Sequence, residues 1–245
     1  MRIGSLFSGV GGLELGLERA LPGSRVVWQV EIDPKCREVL ALRWPDTIRY
    51  PDVRSLPLDL PAVDLLCGGF PCQDLSSASA RGDARPGLQG AKSGLWAEYA
   101  KVIGRIRPET VVVENVASGK EHWLPQVRRD LHVLGYGSLA IPVSAADVGA
   151  LHQRRRIFVV AHPYCGGESV GPLHAQASPV CPHAIGVWHR WPAEPPHLRM
   201  ANGLPGRVAW RNRAYGNAVV PQAAQAVGLA IASGWTRGLV NTIVT

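Results

Sequence analysis

Lysine, thiols and long apolar runs are all scarce in this chain of 245 residues. Lysine occurs four times against 22 arginines, an excess that a GC-rich coding sequence accounts for. No stretch approaches the roughly 18 uninterrupted apolar residues of a membrane span. The N-terminus "MRIGSLFSG" shows no apolar signal core before a small-residue cleavage site, so a soluble, cytoplasmic protein without a membrane partner is expected. Five cysteines are an odd number in a chain of this size, which argues against a disulfide framework and leaves room for a chemical thiol. Acidic residues are nearly missing from one end. Residues 150–245 hold nine arginines against only Glu168 and Glu194, so the whole net charge of +7 arises there. Codon bias does not remove acids from one region, and a cationic segment suits a polyanion, above all nucleic acid.

What is present is enough for a core: 46% of residues are hydrophobic and 18% charged, which excludes disorder of the whole chain and fits one large domain with a small appendage. The first 160 residues alternate β-rich runs with amphipathic segments, the pattern of strands joined by crossover helices. "RIGSLF", "RVVWQVEID", "VDLLCGG", "ETVVVENV" and "RRIFVVA" read as strands. "LELGLERAL", "PKCREVLALRW" with Pro34 in its first turn, "LWAEYAKVIGRI", "LPQVRRDLHVLG" and the late "PQAAQAVGLAIASGW" read as helices. The expected fold class is α/β, a doubly wound, mostly parallel sheet. Two segments break the rhythm. Residues 73–93 are small and polar and too long for an ordinary connection, which marks a functional loop or lid. Residues 163–206 carry eight prolines and six glycines without a period, and read as either a small irregular subdomain or a flexible insertion.

Several motifs carry chemistry. "LFSGVGG" turns from strand to helix through Gly9, Gly11 and Gly12, where backbone can approach a ligand and the helix offers free N–H groups. Alone, such a turn is equally a tight connection. Glu31, however, ends the next strand, where an acid bonds the ribose of an adenosine cofactor, and Asp52 in "YPDV" follows the next apolar stretch. Three such features at successive strand ends point to a nucleoside pocket. The G-x-G-x-x-G spacing and a phosphate-binding lysine are both missing, so an adenosine cofactor without a phosphate chain fits better.

Cys72 follows "VDLLCGGFP" at the end of a strand, where open α/β sheets place ligands; a helix or oriented backbone amides following it would favour the thiolate. Cys67, inside the apolar run, reads as a structural cysteine. Glu114 and Asn115 close "VVVENV"; the acid is either a solvated strand end or a proton donor to a substrate ring. Arg154 and Arg156 would share one face of a strand, with Arg155 on the other. That pair reads as either two forks for a phosphate and a base edge or a solvated cluster. Cys165, Cys181, His162, His174 and His183 have irregular spacings and no CxxC pair, so no metal site is expected.

In the order "LFSGVGG", "GGFPCQ", "ENV", "RRRIF" and "YGNAVVP", the chain resembles the DNA (cytosine-5) methyltransferases over residues 2–162 and about 207–234, particularly short phage and prophage members. The resemblance implies a Rossmann-like sheet of the methyltransferase type that binds S-adenosylmethionine and releases S-adenosylhomocysteine. It divides the chain into a catalytic domain over 1–162, a short target-recognition-like segment over 163–206, and a return to the catalytic domain over 207–245. Carried over, Phe7, Ser8, Gly9, Gly11 and Gly12 line the cofactor site, Glu31 with Ile32 holds the ribose, and Asp52 with Val53 meets the adenine. Pro71, Leu95, Asn217, Ala218 and Val219 complete that pocket. Cys72 is the nucleophile that adds to C6 of a cytosine flipped out of double-stranded DNA, Glu114 holds or protonates N3, Arg156 contacts the base and Arg154 the nearby backbone. Gln73 and Ser76 lie on the loop that closes over the DNA. A monomer is expected.

Three departures stand out. His152 occupies the place of a usual glutamine, the 163–206 segment is short for a recognition domain, and "LRMANGLPGRVAW" replaces a usual "RLQGFP"-like run. Two rivals remain: the RNA-directed branch acting on tRNA, whose "CFT" tripeptide is missing, and a DNA-binding remnant that no longer catalyses.

Overall fold

The computed structural model describes residues 1–71, 94–164, 210 and 214–242. Seven strands form one sheet: β1 (Arg2–Leu6), β2 (Arg25–Val30), β3 (Ile48–Tyr50), β4 (Leu65–Gly69), β5 (Thr110–Val116), β6 (Tyr136–Val143) and β7 (Arg156–Pro163). Their spatial order is β3-β2-β1-β4-β5-β7-β6. All pairings are parallel except those of β7, which runs antiparallel to both β5 and β6. The helices are α1 (Gly12–Ala20), α2 (Pro34–Arg43), α3 (Leu95–Ile106), α4 (Lys120–Val133), α5 (Pro221–Ala232) and α6 (Trp235–Thr242).

Period-2 alternation feeds two cores. Along β5, Val112 joins Ile3, Leu17, Cys67 and Val227 on one face, while Val111 and Val113 join Trp28, Tyr99 and Trp123 on the other. Each fully buried large side chain of this kind contributes about 1.5–3 kcal/mol. The doubly wound, mostly parallel reading therefore holds. On the first face α1 packs along α5, and glycines set the distance. A Cβ on Gly16 would lie 2.2 Å from the Pro221 carbonyl oxygen, and one on Gly228 would lie 2.5 Å from the Ala20 Cβ.

Local differences from the sequence reading have physical causes. α4 begins at Lys120 rather than at Leu124: Gly119, with φ 71°, makes the turn, and Pro125 is accommodated inside the helix. β6, "YGSLAIPV", went unread because Gly137, Ser138 and Pro142 interrupt its pattern. It is an edge strand, where a proline costs least, and Pro142 is its exposed residue. The three-residue β3 and the short α6 were also missed. The loop 73–93 and nearly all of 163–206 lie outside the described residues. Among the described residues, no helix is long and apolar enough to cross a membrane.

Candidate active site

The chain leaves β1 for β2 and β3 on one side and later returns to β4 and β5 on the other, so the sheet has its topological switch point between β1 and β4. A cavity of about 560 Å³ opens there, at the carboxyl ends of the strands. Its lining brings together Phe7, Ser8, Gly9 and Gly12 from the first turn, Glu31 and Ile32 from the end of β2, and Asp52 and Val53 beyond β3. Pro71, Leu95, Asn217, Ala218 and Val219 line it as well, and Glu114 and Arg156 share it.

The first turn is fixed by an acid from the next strand. Glu31 accepts the Gly9 amide at 2.7 Å through Oε2 and the Asp33 amide at 2.8 Å through Oε1. Phe7 is held at φ 57°, a left-handed conformation that costs a non-glycine residue about 1–3 kcal/mol and is characteristic of sites. Gly12 faces the C-terminal segment so closely that a Cβ would lie 2.1 Å from the Val219 carbonyl oxygen. "SGVGG" and "GNAVVP" thus meet across the cavity wall.

Gly11 does not line the cavity. It sits behind the turn at φ 85°, where a Cβ would strike the Trp44 ring at 2.4 Å, so its role is packing. Asp52 lines the cavity but its carboxylate is already engaged: the Arg54 guanidinium lies 2.8 Å away and its amide also donates, holding the acid below the usual range.

The opposite end of the cavity is drier. Glu114 Oε1 pairs with Arg156 Nε at 2.9 Å, with the two side chains 9% and 15% exposed. Burial pushes the Glu114 carboxyl up to about 7, against the opposing pull of Arg156 and Arg154. It is therefore not a solvated strand end. Gly69 makes the room, since a Cβ there would lie 2.6 Å from Glu114 Oε2. Asn115 donates from its amide to the Phe70 carbonyl at 3.3 Å. Phe70 is itself buried between Trp96 and Trp123, at ring-centroid distances of 5.7 and 5.9 Å. These contacts fix Pro71 on the cavity wall. Cys72, Gln73 and Ser76 follow it directly in the chain but lie outside the described residues.

Arg154 corrects the reading of a shared strand face. β7 starts only at Arg156, and Arg154 precedes it at φ 29°. Its guanidinium donates to the carbonyls of Gly216 at 2.8 Å and Ala218 at 2.5 Å, tying the strand entrance to the C-terminal wall of the cavity. His162 lies elsewhere, bonded to the Glu109 carbonyl at 3.2 Å and to Thr236 at 3.0 Å. Cys165, His174, Cys181 and His183 lie outside the described residues.

Glu14, Asp33 and Trp210 are among the cavity residues that sequence reasoning missed. Glu14 is wholly buried, accepts the Ser5 hydroxyl at 2.6 Å and is raised by desolvation. In "LELGLERAL" nothing but the helical pattern marks it. Asp33 caps α2, for which Pro34 was the available signal. Trp210 joins the wall from beyond the 163–206 segment, and no local pattern announces it.

Comparison with known proteins bears on the family. The model described as "C-5 cytosine-specific DNA methylase" matches residues 1–165. The type II methyltransferase M2.BsuMI of Bacillus subtilis (strain 168) is 33% identical over 171 residues, 66% of this chain and 42% of that protein. M.NgoFVII of Neisseria gonorrhoeae is 31% identical over 166 residues, 65% of this chain and 43% of that protein. The chain thus spans less than half the length of these curated relatives. Among solved structures, a putative DNA modification methyltransferase from an E. coli prophage aligns with TM-score 0.54 at 25% identity, over 76% of this chain and 55% of that one. A Spodoptera frugiperda DNMT2 mutant aligns with TM-score 0.56 at 15% identity, over 71% and 54%, a likeness of fold. The sheet is the Rossmann-like sheet of methyltransferases, and the chain belongs to the C-5 cytosine-specific DNA methylase family.

Proposed function

We propose that the chain transfers a methyl group from S-adenosylmethionine to C5 of a cytosine flipped out of double-stranded DNA, through a transient bond between Cys72 and C6. In this reading residues 1–162 form the catalytic, cofactor-binding domain, 163–206 stand in the target-recognition position, and 207–245 return to the catalytic domain.

The cavity suits the cofactor. Its volume of about 560 Å³ falls within the range of small-molecule sites. Glu31 remains an acceptor for ribose hydroxyls while its backbone bonds hold it in place. Ile32, Val53 and Leu95 offer apolar walls to an adenine. The glycine turn gives backbone access at the start of α1. When bound, the cofactor supplies an electrophilic methyl on a sulfonium.

The observation that carries the reading is the buried pair of Glu114 and Arg156 in that same cavity, beside the strand end that leads to Cys72. C5 of cytosine is too electron-poor to take a methyl cation equivalent directly. Addition of the Cys72 thiolate at C6 makes the ring enamine-like, and the negative charge builds towards N3. A Glu114 carboxyl that titrates near 7 is still substantially protonated at neutral pH and can donate there. Arg156 holds the carboxyl and faces the base. After methylation a base takes the C5 proton, the electrons return to the ring, and the thiolate leaves C6. Flipping the base costs a few kcal/mol, offset by contacts to the base and the strand. Apart from Arg154 and Arg156, which are engaged within the fold, the arginines of residues 150–245 supply salt-dependent attraction to phosphates.

The test supplies the protein with tritiated S-adenosylmethionine and, separately, duplex DNA and tRNA. Label in DNA as 5-methylcytosine, lost in Cys72→Ala, is expected. Label in tRNA alone reassigns the substrate, and no label in either across varied sequences rejects catalysis.

A further inference from the structure

The run "LRMANGLPGRVAW" departs from the usual pattern of the family it resembles, and its last residue, Trp210, reaches the cavity from 177 positions beyond its partner Asp33. The indole Nε1–H donates to Asp33 Oδ2 at 3.1 Å. The other oxygen, Asp33 Oδ1, accepts the amides of Lys35 at 2.9 Å and Cys36 at 3.4 Å, capping α2. The Lys35 ammonium lies 5.8 Å from the indole centroid, a cation–π distance. The ring is thus held at its edge by an N-cap, under a cation, in a half-buried position on the wall of the cavity. Trp210, Glu31, Ile32 and Asp33 line the same stretch of that wall. Ile32 is 66% exposed, an apolar side chain with nothing of the described protein covering most of it.

We infer that Trp210 is a binding residue for the nucleoside end of the cofactor, packing its indole against the flat face of the base or the ribose while Ile32 supplies apolar wall. This rests on the reading of the cavity as a nucleoside-cofactor pocket. The chemistry is general. An aromatic ring positioned by a hydrogen bond at its edge offers a π-face to a nucleobase at small entropic cost, and stacking of this kind tolerates any flat heteroaromatic ring. The segment that follows the recognition position thereby contributes directly to cofactor affinity, and Asp33 acts as its positioning residue.

The experiment measures binding of S-adenosylhomocysteine and of adenosine to the full chain by calorimetry, with tryptophan emission followed in parallel. Trp210→Ala is expected to weaken both ligands about tenfold, within the roughly 5- to 150-fold range that base–aromatic stacking spans. Trp210→Phe, which keeps a π-face, should retain most of the affinity, whereas Trp210→Leu, which keeps bulk alone, should lose it. Part of the ligand-induced change in wild-type emission should vanish in Trp210→Phe. Equal affinities in wild type, Phe and Leu variants, or an emission change unaltered by Trp210→Phe, overturn the inference while leaving the cofactor reading intact. A structural role alone would lower thermal stability without ligand and make Phe and Leu equivalent. If Trp210→Ala does not fold, the Phe–Leu contrast decides. A wild-type protein that binds neither ligand overturns both readings.

Discussion

At the β1–β2 end of the cavity the Glu31 carboxylate is half-buried and accepts two backbone amides, whereas at the β5–β7 end Glu114 is nearly dry, faces a guanidinium and titrates near 7. Both are glutamates at the carboxyl-end side of the same sheet, Glu31 just after β2 and Glu114 within the last three residues of β5. Their environments set them apart: two amide bonds tie Glu31 into the turn after β1, and burial raises the Glu114 carboxyl to about 7. The neighbours decide this. Glu31 accepts two oriented N–H groups, while Glu114 lies opposite Phe158 on β7 and fills the room that Gly69 leaves by having no side chain.

The largest break in this contrast comes from Cys72. Cys72→Ala should abolish methyl transfer and any covalent trapping by 5-fluorocytosine DNA while leaving S-adenosylhomocysteine affinity unchanged, because only the β4–β5–β7 end is disarmed. Calorimetry beside a trapping gel reads both halves at once.

Glu114→Gln comes next. Loss of a positioned proton donor should lower kcat by about 10²- to 10⁴-fold with cofactor affinity preserved. The wild-type rate should decline as the pH rises through about 7, the value at which the Glu114 proton is lost, and that limb should be missing in the variant. Stability gives an independent reading. The folded carboxyl titrates above its ordinary 4.5, so between about 4.5 and about 7 the folded protein binds more protons than the unfolded chain. Stability from this group is therefore lost as the pH rises through that window. The melting temperature of Glu114→Gln relative to wild type should shift in favour of the variant over the same range.

Glu31→Ala should do the reverse of both. Removing the acceptor of two amide bonds, each worth about 1.5–3 kcal/mol when the acceptor is charged, should raise the Kd for S-adenosylhomocysteine at least tenfold. With saturating cofactor, kcat should change far less. A large kcat loss at saturation would erase the division between the two ends.

The smallest effect is expected from Arg154→Ala. The structure uses this arginine to hold the Gly216 and Ala218 carbonyls, so its loss should destabilise the fold by about 2 kcal/mol, measured by denaturant unfolding. The salt dependence of DNA binding should stay close to wild type. A clear drop in that slope would restore Arg154 to the phosphate backbone.

Legibility followed the range of the interaction. α3 begins and ends where its pattern does, because Gly94 precedes it and Arg107, at φ 54°, closes it locally. β1, β4 and β5 were readable from short apolar runs, and the binding turn from its glycines. β6 was not, since among the described residues it pairs with β7 alone and its residues are mixed. Gly11 was placed on the cavity because spacing cannot tell which glycine faces a ligand and which faces Trp44. Arg154 was placed on a strand face because the run of three arginines hides where the strand begins.

The sequence alone determined β1, β2, β4, β5 and β7, the helices α1 to α5 between and after them, and the glycine turn that follows β1, because each depends on periodicity or backbone freedom within a few residues. Only the tertiary structure decided that Glu114 is dry and paired, that Glu14 is buried, that Arg154 ties the C-terminal wall, and that Trp210 docks on Asp33. Desolvation and long-range contact are properties of the packed sheet, and no stretch of chain carries them before it folds.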